Sequence, residues 1–301
     1  MTPPVSVVIT CFNYERFLAD AILTARYQTL NGAEIVVVDD GSTDDSAKAA
    51  KALGVRVVQQ ENRGLAAARN RGIAETSADW IAFLDADDLW ETHKLERQYA
   101  AVCDEQGIVL CHTDCVFLHG DGTEDRRPRK LEPPERGCPF AHLLPSNRIF
   151  SSSAMVRRDA VLRAGGFDEN LDAYEDVDLW FRLAAHGDFL FLPDRLIKYR
   201  LHGANTRSLG REFWEGSFAV LQDKVLASWD VLSARFQPRE RQRYRRLLRR
   251  LVALCYSGQA KHCAREGRYA DALRSHWRAL GNYPWAPRLY GCFLRTLLFC
   301  R

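Results

Sequence analysis

Residues 80–90 read WIAFLDADDLW: an apolar run, then Asp85, Asp87 and Asp88 within four positions, then Leu89 and Trp90. An apolar run this short that stops on acids has the length of a strand, not of a helix. Three similar runs, at residues 5–10, 34–39 and 55–59, are bounded by turn residues, and the segments between them have helical length and spacing. The resulting βαβαβαβ order predicts an α/β fold, a mostly parallel sheet flanked by helices. In such sheets ligands sit at the carboxyl ends of the strands. The polar tails of VVITCFNY, VVVDDGSTDDS and FLDADD all fall at those ends.

The 301 residues suggest about two domains. With 47% hydrophobic and 27% charged residues and a formal net charge of +3, the chain has a globular composition and no global case for nucleic acid or membrane. Nine irregularly spaced cysteines do not make a disulfide framework and favour a reducing compartment. The opening MTPPVSVVIT has no basic segment before its apolar run, and no apolar stretch approaches the roughly 18 residues that cross a bilayer. The expectation is a cytoplasmic protein, with contact at the inner face of a membrane left open.

Further along, GDGTEDRRPRKLEPPERGCP (120–139) reads as a long loop of the kind that often covers a site. SSSAMVRRDAVLRAGGF reads as strand, helix and turn, YEDVDLWFRLAAHG as a helix, and FLFLPDRLIKYRLHG as a hairpin ending near His202. From about residue 211 the spacing is helical, which divides the chain into an α/β domain over 1–210 and a helical region over 211–301. Residues 255–284 resemble one tetratricopeptide-type hairpin. In ARFQPRERQRYRRLLRR (234–250) eight arginines face one glutamate, a face for anionic lipid, an acidic partner or solvent. The final WAPRLYGCFLRTLLFCR (285–301) suits a membrane interface or packing on the catalytic domain.

Acids this close raise one another's pKa or demand a cation. One capping carboxylate would serve a helix start after Asp88, whereas a DxD pattern offers two hard oxygen ligands to Mg²⁺ or Mn²⁺ beside a phosphate. Asp39 ends an early strand, where a carboxylate can accept bonds from a ribose or base, while Asp40 to Thr43 suit turn and cap chemistry. In ENRGLAAARNRG the alanines let a helix lie close to the sheet. Arg69 and Arg71 taken alone read as solvated, though beside a diphosphate they would supply charge-assisted bonds. In the 174–187 helix Asp178 can pair with Arg182, and Asp176 shares a face with Leu179, Trp180 and Leu183, the setting of a general base whose pKa burial raises. Cys111, His112 and Cys115 lack a second ligand pair and read as core or loop residues, not as a zinc site. No GxGxxG after a strand and no GxxxxGK[ST] occurs, so neither a dinucleotide fold nor a P-loop is indicated.

Seven motifs, VSVVITCFNYERFL, VVVDDGSTDDS, NRGLAAARNRG, FLDADDLW, GGFDE, YEDVDLWFRL and YRLHGANTRS, occur over about residues 4 to 208 in an order that resembles the family 2 glycosyltransferases of the GT-A fold. The resemblance implies a nucleoside-diphosphate sugar donor, Mn²⁺ or Mg²⁺, and an inverting displacement by a hydroxyl of a glycan or lipid-linked acceptor, in polysaccharide or cell-envelope glycan biosynthesis. It implies that Thr10 and Phe12 lie by the base, that Asp39 binds base or ribose, and that Arg69 lies near the nucleotide. Asp85 and Asp87 become the DxD pair and Asp88 an alternative ligand. Asp176 becomes the base, with Glu175 and Asp178 as secondary acids, and His202 completes the metal site. Two other readings are weighed: a sugar nucleotidyltransferase, which should carry a Gly-rich basic loop where this chain has TCFNYERF, and a noncatalytic nucleotide-sugar sensor or scaffold.

Overall fold

A computed structural model describes residues 4–126, 136–137, 149–203, 217, 220–221, 223–284, 290 and 293. Most of the loop expected at 120–139 and most of the 285–301 segment lie outside the described residues. The chain divides into two compact units, one holding the described elements through residue 203 and the other the helices that follow.

In the first unit, β1 (Val5–Cys11), β2 (Glu34–Asp39), β3 (Arg56–Gln59) and β4 (Trp80–Asp85) form a parallel block in the order β3-β2-β1-β4. Every residue of β1 is buried, as a central parallel strand covered on both faces requires. Helix α1 (Glu15–Arg26) buries Leu18, Ala21, Ile22 and Ala25, a stripe at helical spacing. After α2 (Ser46–Ala52) and β3, helix α3 (Leu65–Ala74) buries Ala66, Ala67 and Ala68, and a Cβ at Gly72 would collide with Val8 of β1. The alanine run and that glycine set α3 against the sheet at close range.

The sheet continues through β9 (Met155–Arg157), antiparallel to both β4 and β6 (Ile108–Leu118), and ends with β10 (Asp188–Arg200) and the short β5 (Leu89–Trp90). Helix α4 (Lys94–Val102) precedes β6; β7 (Glu124–Asp125) and β8 (Arg136–Gly137) pair with β6 and β10. Strand β9 leads into α5 (Arg158–Arg163), and α6 (Glu175–Leu183) precedes β10. The segment expected to form a hairpin around Pro193 is one strand instead. Strand β10 runs parallel to β6, and the register slips between Leu192 and Arg195 and again before Ile197. The proline, unable to donate to the ladder, is accommodated by that irregularity and does not reverse the chain.

The helical unit contains α7 (Trp229–Leu232), α8 (Pro238–Arg265) and α9 (Tyr269–Asn282). Gln237 and Glu240 form a capping box with Pro238 at the first helical position, and Gly267, at φ 74°, turns the chain into α9. Helices α8 and α9 form a hairpin and bury small residues, Ser257, Ala260, Ala272, Ser275 and Ala279. The first helix is 28 residues long and begins well before residue 255. No helix among the described residues is long and apolar enough to cross a membrane.

Candidate active site

The parallel registers bring Cys11 beside Asp39 and Thr10 beside Asp85, so the carboxyl ends of β2, β1 and β4 share one edge. The loops after β1 and β2 are stitched together there. Asn13, at φ 59°, accepts the Thr43 N–H at 2.8 Å on its side-chain oxygen and donates its own N–H to Ser42 Oγ at 2.9 Å. Asp39 is buried and accepts the Ser42 N–H and the Gln59 amide, each at 3.1 Å. Its neighbour Asp40 accepts the N–H groups of Arg63 and Gly64 at 3.0 and 2.9 Å and holds the start of α3. Of the adjacent pair, Asp40 holds the turn that leads into α3. Thr10 is buried, whereas Phe12 is 41% exposed, a ring available to a ligand at this edge.

Asp85, Asp87 and Asp88 have three different settings. Asp88 is buried and accepts the Ser152 hydroxyl at 2.6 Å on one oxygen and the Arg200 N–H at 3.1 Å on the other. Burial, then the charges of Asp87 and Asp85, push its pKa well above the carboxylate range. Asp87 faces His202, whose Nε2 lies 2.9 Å from its Oδ2. Burial and the charge of Asp85 raise the Asp87 pKa, and His202 opposes the rise. The Tyr14 phenol is pushed up by burial and then by Asp87, Asp85 and Asp88, so the whole trio acts on that side of the site. Arg200 fastens the end of β10 to this loop. Its Nε donates to the Asp87 carbonyl at 3.0 Å, its Nη2 to Asp20 at 3.2 Å, and its guanidinium lies 4.8 Å from the Phe17 ring centre. Two residues later His202 rests against Phe17, ring centres 4.8 Å apart.

Arg69, which taken alone reads as solvated, is 2% exposed. Its Nη2 donates to Asp85 at 2.8 Å and its Nη1 to Glu175 at 2.5 Å, so one guanidinium joins the end of β4 to the first turn of α6. Asp85 and Glu175, then Asp176, hold the guanidinium protonated against the opposing effect of burial. Arg71, on the exposed side of the same helix, pairs with Glu75 at 2.7 Å. Asp176 is half-buried. Its Oδ1 accepts the Val177 N–H at 2.6 Å and its Oδ2 lies 3.5 Å from the Ser151 hydroxyl. A hydroxyl and the charge of Arg69 thus stand near it. Asp178 pairs with Arg182 as its spacing predicts, and Arg182 Nη1 bonds the Gly166 carbonyl at 2.6 Å. That carboxylate holds α6 to the 165–167 turn.

A model of the family described as Glycosyl transferase family 2 matches residues 6–163, just over half of the chain. The chain belongs to glycosyl transferase family 2. A second model, Glycosyltransferase like family 2, matches residues 142–221 of this family 2 chain. An uncharacterized glycosyltransferase of Nostoc sp. (strain PCC 7120) is 30% identical over 211 residues, 67% of this chain and 66% of the relative. One from Rickettsia typhi is 29% identical over 214 residues, 68% of this chain and again 66% of the relative. These matches thus span just under two thirds of the relatives' length. Among solved structures, S. aureus TarS 1–349 in complex with UDP-GlcNAc has a TM-score of 0.63 at 16% identity, covering 94% of this chain and 89% of that one. The mannosyltransferase PcManGT of Pyrobaculum calidifontis, in complex with GDP-Man and Mn²⁺, has a TM-score of 0.59 at 16% identity, covering 99% and 85%. The shared fold is GT-A.

For a cation, this family 2 site offers a small donor set. Among the described residues no group of three or more His, Cys, Asp or Glu side chains is arranged to hold one. Asp88 has both oxygens on protein donors and Asp85 gives one to Arg69. Asp87 Oδ2 and His202 Nε2 lie 2.9 Å apart, a carboxylate oxygen and an imidazole nitrogen side by side. That pair suits Mn²⁺ or Mg²⁺ when diphosphate and water oxygens complete the coordination. Cys111, His112 and Cys115 are buried along β6, in keeping with core residues.

Sequence reasoning missed the buried turn Ser151–Ser153. Ser152 Oγ accepts the Asp85 N–H at 3.1 Å while donating to Asp88, and the neighbouring Ser151 reaches Asp176. This turn links the acidic loop to α6. Three serines directly before an apolar strand were the only available signal.

Proposed function

We propose that the protein transfers a sugar from a nucleoside-diphosphate sugar to a hydroxyl of a glycan or lipid-linked acceptor, with inversion at the anomeric carbon. Residues 1–210 form its catalytic domain and 211–301 a helical region. The observation that carries the reading is the convergence of Asp87, His202 and Asp176 on one rim through the Ser151–Ser153 turn and the Arg69 bridge. Thr10, Phe12 and Asp39 bind the nucleoside, the last through a carboxylate positioned by Ser42 and Gln59. Arg69 acts from below, holding Asp85 and Glu175.

In the reaction the acceptor oxygen bonds to the anomeric carbon as the bond from that carbon to the diphosphate oxygen breaks. Asp176 takes the acceptor's proton on a carboxylate oxygen. Arg69, bonded to the neighbouring Glu175, fixes the first turn of α6 that carries this carboxylate. A bound Mn²⁺ or Mg²⁺, held by Asp87 and His202, would offset charge on the departing diphosphate. UDP-GlcNAc and GDP-Man in the TarS and PcManGT complexes support a nucleotide-sugar donor and make uridine and guanosine the first bases to test.

The test is calorimetric titration with UDP-, GDP- and dTDP-sugars, with Mn²⁺ or Mg²⁺ and again with chelator. One metal-dependent binder is expected. No binding to folded protein under any condition would instead favour a scaffold or a donor outside this panel.

A further inference from the structure

The near-neutral total charge conceals two parts of opposite sign. Residues 1–203 hold 23 Lys and Arg against 32 Asp and Glu, whereas residues 204–301 hold 19 against 7. Much of the positive charge lies on α8. Arg239, Arg243, Arg246 and Arg250 are spaced i, i+4, i+7 and i+11 and are all exposed. At about 100° and 1.5 Å per residue, they fall within about 60° of one another and run about 16 Å along the axis. Lys261, also exposed, continues the line, while Leu248, Val252, Tyr256, Ala260 and Cys263 occupy the buried side.

This face lacks the mixed signs of an ordinary solvated helix. Glu240 in the capping box is the one acid of α8 and no Asp or Glu occurs from Arg241 to Arg265, so beyond the first turn the arginines three and four apart repel one another without relief along the helix. Leu254, four residues beyond Arg250 on nearly the same face, is 54% exposed. Five of the nine large apolar residues exposed among the described residues belong to the helical unit: Val220, Val231, Leu254, Trp277 and Tyr290. A row of guanidinium groups with the exposed Leu254 on nearly the same face fits the headgroup and acyl boundary of a bilayer. A nucleic-acid groove would supply the phosphates without the apolar layer.

We infer that this face of α8 docks on an anionic lipid surface, its arginines on headgroup phosphates and Leu254 at the acyl boundary. The docking is independent of the donor reading, because neither sugar transfer nor nucleotide binding enters it. Each arginine near an anionic leaflet raises partitioning about fivefold, so removing four lowers it by about two to three orders of magnitude.

The experiment is flotation of the full chain with vesicles of phosphatidylcholine alone and of an equal mixture with phosphatidylglycerol, at low and at molar salt. Duplex and single-stranded oligonucleotides serve as competitors. Binding to the mixed vesicles only, reversed by salt, is expected for the native protein. Arg239→Gln with Arg243→Gln, Arg246→Gln and Arg250→Gln should abolish it with an unchanged circular dichroism spectrum. Salt-insensitive binding, equal binding to both vesicles, or full binding by the folded quadruple variant would overturn the inference. So would oligonucleotide binding without vesicle binding, which assigns the face to nucleic acid.

Discussion

Replacing Arg69 by Met removes the guanidinium that joins β4 to α6 while keeping most of the side-chain volume. Two charge-assisted bonds are lost, at 2.8 Å to Asp85 and 2.5 Å to Glu175, each contributing about 1.5–3 kcal/mol. The Asp85 side chain is 29% exposed and recovers some hydration, whereas Glu175, at 12%, recovers little. The combined loss is about 3–5 kcal/mol, the range for breaking a buried pair and leaving charge behind. At about 2–4 °C per kcal/mol, the Tm should fall by about 6–20 °C. Urea unfolding of the native chain, Arg69→Met, Glu175→Gln and the double variant separates the bridge from the loss of packing. Neutralising Glu175 should recover at least about 1 kcal/mol in the Arg69→Met background, since it removes one stranded charge. If Arg69→Met loses less than about 1 kcal/mol, or if the two changes add within about 0.5 kcal/mol, the guanidinium does not act as a bridge.

Asp176→Asn should lower transfer by at least about 100-fold with donor affinity nearly unchanged; lost affinity with turnover retained would remove it as the base. Asp87→Ala and His202→Ala should each abolish the metal dependence of donor binding in calorimetry, and an unchanged response to chelator would exclude the pair as ligands. Ser152→Ala should cost about 1–3 kcal/mol in urea unfolding, because it leaves Asp88 with one donor in a buried position. Lys94 is wholly buried, bonded to Gln98 at 2.7 Å over the Trp90 ring, and burial lowers its pKa from 10.5 to about 7. Between those values the unfolded chain binds more protons at this amine, so the Lys94 contribution to stability should rise from pH 7 towards 10.5 and be flat below. In Lys94→Met the slope of stability against pH over that window should be smaller; an identical slope would refute the buried amine as its source.

The parallel block was legible because its strands are short β-branched runs closed by turns, a pattern that needs no partner to be recognised. Strand β10 was not, since Pro193 reads locally as a reversal and only pairing with β6 accommodates it as a slip in register. Within the site, the acidic loop and the Asp178–Arg182 pair follow from local spacing. The environment of Arg69 does not: an arginine on an alanine-rich helix is ordinarily solvated, and its burial depends on Glu175, 106 positions away. The serine turn was hidden for the same reason. Its hydroxyls look like loop chemistry until Asp85, Asp88 and Asp176 are brought to them.

Strand order also sets a timetable for synthesis. Strand β5 is made by residue 90, yet its partner in the sheet is β10, which ends at residue 200 and also delivers His202 to Asp87. A chain still on the ribosome can complete the β3-β2-β1-β4 block, with its carboxyl edge, long before the last strand emerges. The Asp87–His202 pair is therefore assembled last, and truncated chains that stop before β10 lack half of it while retaining the parallel block.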